Sequence, residues 1–108
     1  MALPELDPEQ RRKALEKAAF ARRVRAELKQ MLKTGEVTLR DVLDRADDVE
    51  PIAKMRVSEV IESMPSYGKV RARELMERLN IAASRRVRGL GINQRSALLA
   101  AFGESDLR

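Results

Sequence analysis

From Pro8 to Thr34 the chain runs without a glycine or a second proline, and both ends of the run carry helix punctuation. Asp7 stands where an N-cap belongs, and Pro8 takes the first turn, where its missing N–H costs nothing. Gln10 is spaced to reach back to the cap, and Thr34-Gly35 supplies the stop. The run predicts one helix of about 25 residues, about 38 Å long at 1.5 Å per residue. A chain of 108 residues that commits so much of itself to one helix has room for a single core besides.

In the second half of that helix Phe20, Ala21, Val24, Leu28, Met31 and Leu32 fall on one face, and Arg22, Arg23, Arg25, Lys29 and Lys33 lie on the other. In the first half Lys13 and Lys17 stand in line with the apolar stripe, and the filling is Ala14, Ala18 and Ala19. Residues 8–19 are therefore expected to project from the domain, or to fray without a ligand, because a helix with little to bury is marginal.

Shorter helical segments follow. Thr38 caps one from Leu39 to about Ala46, with Asp41 at the capping-box position, Leu39, Val42 and Leu43 inward, and Asp47-Asp48 closing it. Pro51 starts a second with Ile52 and Met55, and Val57 to Ser63 reads as a third. Val70 to Leu79 carries a stripe of Ala72, Leu75, Met76 and Leu79, and Asn93 is placed to cap a last helix that returns Ala97, Leu98, Leu99 and Phe102 to the core. With 44% hydrophobic but 3% aromatic residues, the apolar mass suits helices better than sheets. The expected fold is all-α: a long basic N-terminal helix over residues 1–35, a compact helical domain over 36–103, and a tail over 104–108.

The chain has no cysteine and no histidine, which removes thiolate chemistry and the commonest general base and metal ligand. Neither enzyme activity nor a cofactor or metal is expected. Met1 to Gln10 hold three acids and no base, and no stretch approaches 18 apolar residues, so a signal peptide and a membrane span are not expected and the location is read as cytoplasmic. The basic amphipathic helix is not assigned to a membrane surface, since its apolar residues are needed for the core.

Net charge is +5, but its distribution is more informative. Residues 11–33 hold nine bases and two acids, residues 34–64 four against eight, and residues 65–102 eight against two. Two basic blocks separated by an acidic one imply two surfaces for a polyanion, with the middle segment kept away from it.

Within the second basic block, Met64-Pro65-Ser66-Tyr67-Gly68-Lys69 lies between two helices as a tight turn. Pro65 stops the first helix, and Gly68 lets backbone approach a ligand at the start of the second, where amide N–H groups point outward. Lys69, Arg71 and Arg73 add positive charge beside those amides, so a phosphodiester fits there. Further on, Ser84 reads as the cap of a single turn holding Arg85, Arg86 and Arg88, with Gly89 and Gly91 flanking a Leu90 that anchors the loop. Three arginines in one turn repel one another unless a polyanion neutralises them, and arginine suits phosphate contacts and minor-groove insertion.

The run Gly68-Lys69-Val70-Arg71-Ala72, then Met76, Leu79-Asn80-Ile81 and Arg85-Arg86-Val87-Arg88-Gly89-Leu90-Gly91, resembles the actinobacterial integration host factor family. Met1-Ala2-Leu3-Pro4 and Ala14-Leu15-Glu16-Lys17-Ala18-Ala19 extend the resemblance over nearly the whole chain. It implies a nucleoid-associated protein with a long N-terminal helix and an S13-like helix–two-turns–helix domain of the helix-hairpin-helix type. Such proteins bind duplex DNA with little sequence preference and assist phage integration beside a recombinase. Carried onto this chain, the resemblance implies that Gly68 and Lys69 meet phosphate, that Arg85, Arg86 and Arg88 reach backbone and minor groove, and that the basic face of the first helix, Arg22 and Arg23 included, makes a further contact.

Ser66, Tyr67, Arg71, Arg73, Gly89, Gly91, Asn93 and Gln94 complete the expected DNA-binding set. Tyr67 is placed either over a sugar or half-buried against the core. Relatives usually carry glycine where this chain has Ser66; serine tolerates a positive φ less well, although its hydroxyl can itself donate to phosphate. Double-stranded DNA is thus the expected partner, with a phage integrase or another recombinase beside it, and a monomer is expected in solution. The alternative reading is an RNA- or ribosome-associated S13-like protein. A nuclease or lyase is the weakest, because no nucleophile with a base and no paired carboxylates stand beside the basic block.

Overall fold

In a computed structural model, residues 7–104 are described. The helices are α1 (Pro8–Thr34), α2 (Leu39–Arg45), α3 (Glu50–Ala53), α4 (Val57–Glu62), α5 (Lys69–Arg78) and α6 (Ile92–Ala101), with a 3-10 turn at Val87–Gly89 between the last two. Among the described residues no strand forms; a single antiparallel bridge joins Arg56 to Arg86. The Met1-Ala2-Leu3-Pro4 segment and residues 105–108 of the expected tail lie outside the described residues.

Helix α1 starts and stops where its punctuation says. The Asp7 carboxylate accepts from the Gln10 amide at 2.8 Å, the Gln10 side chain accepts from the Asp7 amide at 3.3 Å, and Gly35 ends the helix in the left-handed conformation at φ 78°. Every residue from Asp7 to Phe20 is exposed, so the first half projects, supported by its cap and by the Glu9–Arg12 and Glu9–Lys13 pairs. The second half docks through buried Leu28 and Leu32, with Val24 and Met31 packed at the edge and Lys29 reaching Glu59 of α4 at 3.8 Å. Phe20 departs from expectation. It lies on the predicted apolar face but is 53% exposed, because it lines an open groove with Lys17, Val49 and Pro51 instead of entering the core.

The core gathers Leu39, Val42 and Leu43 of α2, Ile52 of α3, Val57, Val60 and Ile61 of α4, Ala72, Leu75 and Met76 of α5, and Leu98 and Leu99 of α6. Leu79, Leu90, Ala101 and Phe102 pack against it only in part, and Ala97 is half-buried. Each fully buried aliphatic side chain contributes about 1.5–3 kcal/mol by leaving water. The start of α2 is capped twice. Thr38 and Asp41 exchange the capping-box bonds, and the Glu104 carboxylate accepts from the amides of Leu39 and Arg40 at 3.1 and 2.9 Å. The bond from the Thr38 amide holds the Asp41 carboxyl below its ordinary pKa.

Two start signals are corrected. Ser84 sits in a preceding turn, and the single turn begins after Arg86 with no side-chain cap. Asn93 lies inside the first turn of α6, whose N-cap is Gly91, because Gln94 rather than an Asn93 side chain bonds back across the cap, accepting from the Gly91 amide at 3.1 Å.

Candidate nucleic-acid interface

Helix α4 ends at Glu62, and the chain turns through Ser63 to Gly68 before α5 begins. Ser66 occupies the left-handed region at φ 66°, one of two non-glycine residues to do so among those described. Gly68 is the N-cap of α5, with an ordinary φ of −135° and nothing within 4 Å of where a Cβ would stand. Its lack of a side chain therefore leaves open space at the helix start rather than relieving strain. No side chain caps α5, and its first turn carries no acid; the first turn of α6 carries none either. The first turns of α1, α2, α3 and α4 each hold an acid, Glu9, Asp41, Glu50 and Glu59. The positive ends of α5 and α6 are thus left uncompensated, which suits an anion.

Lys69 and Arg73, one turn apart on α5, line a groove with Arg56, Ile81 and Ala83; Glu62 and Glu77 lie along it too. Arg71 points elsewhere. Its Nη1 donates to the Ser66 carbonyl at 2.9 Å, and its guanidinium lies 4.2 Å from the centre of the Tyr67 ring. Tyr67 is half-buried, its ring 4.8 Å from that of Phe102, which is the second of its two expected placements.

The arginine turn is sewn onto the start of α4. The Val57 amide donates to the Arg85 carbonyl at 2.9 Å, and the Val87 amide donates to the Met55 carbonyl at 2.8 Å. Arg86 Nη1 donates to the Lys54 carbonyl, and Arg85 Nη1 to the Gly89 carbonyl, each at 2.9 Å. A Cβ at Gly89 would stand 3.3 Å from the Arg85 Cδ, so a side chain there would push the Arg85 stem aside by a few tenths of an ångström. Arg85, Arg86 and Arg88 line one groove with Ser84 and Gly89. At the far end of the turn, Gln94 donates to the Asn80 carbonyl at 3.2 Å while holding the Gly91 amide; Asn93 is exposed.

The two basic groups meet through residues the sequence did not single out. Arg56 lines the groove of Lys69 and Arg73, and also a second groove with Arg25, Lys54 and Arg86. Arg22 and Arg23, the expected α1 cations, are exposed and line neither groove; Arg23 lies over the Phe20 ring at 6.0 Å, and Arg25 is the α1 arginine beside the turn. Lys54 and Arg56 come from the acidic block, so that block is not kept apart from the basic surface as a whole. No local signal points to them, because they reach Arg86 only through pairing of residues about thirty positions apart. Glu59 shares the second groove, and Asp44 is drawn to the opposite partner Arg95 of α6 at 2.9 Å. Among the described residues no group of acids is arranged to hold a metal, and no helix is long and apolar enough to cross a membrane.

Residues 32–102 match the S13-like H2TH domain family. Integration host factor of Streptomyces coelicolor is 54% identical over 105 residues, covering 97% of this chain and 98% of that protein. Integration host factor of Mycolicibacterium smegmatis is 55% identical over 105 residues, covering 97% and 100%. The chain belongs to the actinobacterial integration host factor family. A family structure solved as sIHF bound to an 8bp palindromic DNA shares 52% identity with a TM-score of 0.79, over 82% of this chain and 99% of that one. The all-α expectation, a long N-terminal helix followed by an S13-like helix–two-turns–helix domain, agrees with both findings.

Proposed function

We propose that the protein binds duplex DNA as a nucleoid-associated architectural protein, gripping phosphate backbone and minor groove with little preference for sequence. The observation that carries this reading is the basic track from Lys69 and Arg73 through Arg56 to Arg86, with the acid-free start of α5 at its Lys69 end. Phosphates are bound by such a surface through charge and amide donors, neither of which reads bases. The DNA-bound family structure supports the same partner.

In this reading Ser66, Gly68 and Lys69 meet phosphate at the first turn, with Arg73 beside them. Arg85, Arg86, Arg88, Gly89 and Gly91 face the backbone and minor groove at the second, and Arg25, Arg22 and Arg23 extend the contact along α1. Residues 1–35 act as a basic arm whose second half docks on the core through Leu28 and Leu32, and 36–103 act as the DNA-binding domain, to which Glu104 of the expected 104–108 tail is tied as the cap of α2. The protein works as a monomer without catalysis or cofactor, in the nucleoid, and shapes DNA for a recombinase such as a phage integrase. Bending or looping follows from holding one duplex on two surfaces.

An RNA role has less support. Sequence-specific RNA recognition stacks unpaired bases on aromatic side chains, and the Tyr67 ring is already covered by Phe102 and Arg71. Fluorescence anisotropy on duplex DNA and duplex RNA of one sequence, titrated with salt, tests the choice. Tighter binding to DNA is expected, with log affinity falling by about 0.9 per phosphate contact for each unit of log salt. Preference for RNA, or indifference to salt, would overturn it.

A further inference from the structure

Two described residues other than glycine have positive φ, Ser66 at 66° and Asn80 at 57°, and they stand in the two turns that flank α5. In each case a side chain from the following helix holds the carbonyl: Arg71 Nη1 donates to Ser66 at 2.9 Å, and Gln94 donates to Asn80 at 3.2 Å. Asparagine visits the left-handed region routinely, whereas serine does so at a steric cost. The hairpin strap therefore has more to hold. It is also the more elaborate of the two, since the Arg71 guanidinium lies over Tyr67, and Tyr67 packs on Phe102 at the edge of the core.

The helix period separates Arg71 from the basic groove. At about 100° per residue, Lys69 and Arg73 lie within about 40° of each other and Arg71 lies about 160° from both. Lys69 and Arg73 line the groove with Arg56, and Arg71 does not. We infer that Arg71 is a positioning residue rather than a phosphate ligand: it ties the Ser66 carbonyl to the Tyr67 ring and so keeps the hairpin in the left-handed turn that aims Gly68, Lys69 and the open amides of α5. The inference rests on the DNA-binding reading for its functional consequence, but the strap itself is a property of the folded chain.

The test is a cycle of four proteins: the parent, Arg71→Met, Ser66→Gly, and the double variant. Methionine keeps an apolar stem of similar reach and removes the donor. Glycine removes the steric cost at residue 66, so the strap loses its purpose there. Duplex affinity across a salt series, thermal unfolding, and tyrosine emission are read on each; Tyr67 is the only tyrosine and the chain has no tryptophan, so emission reports on the hairpin alone. Arg71→Met is expected to weaken DNA binding about tenfold with serine at residue 66, and less than about twofold in the Ser66→Gly background, with the salt slope unchanged in both.

An equal loss in both backgrounds overturns the inference, and a slope shallower by about 0.9 would make Arg71 a phosphate ligand instead. No loss in either background overturns it as well. Should Arg71→Met fail to fold, the double variant decides: recovery of its unfolding transition upholds the strap, and failure to recover refutes it. A parent protein that ignores DNA at low salt while the unfolding temperatures still show the coupling would sink the DNA reading and leave the strap standing.

Discussion

The two turns on either side of α5 present an anion with different things. The first, from Ser63 to Gly68, is short; it offers an uncapped helix start, open space at Gly68 and a carbonyl tied back by Arg71. The second, from Leu79 to Gly91, is longer; it offers three arginines, of which Arg85 and Arg86 each spend one nitrogen on a backbone carbonyl of the fold. The first turn is limited by shape and the second by charge. A shape-limited contact fails when bulk or backbone changes and leaves the salt dependence alone, whereas a charge-limited contact fails with the number of phosphates neutralised.

The broadest break is on the charge side. Replacing Arg85, Arg86 and Arg88 by alanine together is expected to cost at least about a hundredfold in affinity on every duplex sequence alike and to flatten the salt slope by up to about 2.7. Filter binding or anisotropy at several salt concentrations checks this, and an unchanged slope would take the arginines out of the interface. On the shape side, Gly68→Val places a branched side chain in open space at the helix start. Affinity should fall about tenfold while the slope holds, and the unfolding temperature should drop by roughly 4–8 °C, since valine is a poorer N-cap than glycine by about 1 kcal/mol.

Smaller effects separate the turns through stability. Ser66→Gly is expected to stabilise the protein by about 1 kcal/mol and to raise its unfolding temperature by about 4–8 °C, whereas Asn80→Gly should change it by a few tenths of that, because asparagine already tolerates the conformation. Equal shifts at both positions in calorimetry would erase the distinction. The smallest effect lies away from both turns. Asp41 has a folded pKa below its ordinary 3.8, chiefly through the Thr38 amide, so the stability it contributes is present above that value and is lost as pH falls through the lowered one. Acid unfolding of Asp41→Asn should accordingly be less steep in that window than that of the parent, and an identical acid limb would show the cap to be idle.

Several features of this protein were written locally. The start and stop of α1, the Thr38–Asp41 box, the stripe of Ala72, Leu75 and Met76, and the placement of a turn before Lys69 follow from spacings of two to four residues, the range over which capping bonds and helical faces act. The basic turns were legible for the same reason, as clusters along the chain. Asn93 and Ser84 misled because a residue with a capping side chain signals a start only if no neighbour takes the position, and here Gly91 and Arg86 do.

Where the core ends, and which charges share a groove, was decided by tertiary structure alone. Periodicity puts Phe20 on an apolar face without saying that it stops in an open groove beside Val49 and Pro51, short of the core. Lys54 and Arg56 join Arg86 because residues 55–57 pair with 85–87, Arg25 joins them because α1 docks through Leu28 and Leu32, and Glu104 caps α2 from 64 and 65 positions away. Helical period and capping are carried by neighbours along the chain, but a neighbour in space exists only once the chain has closed on itself, and that closure set which charges share one surface.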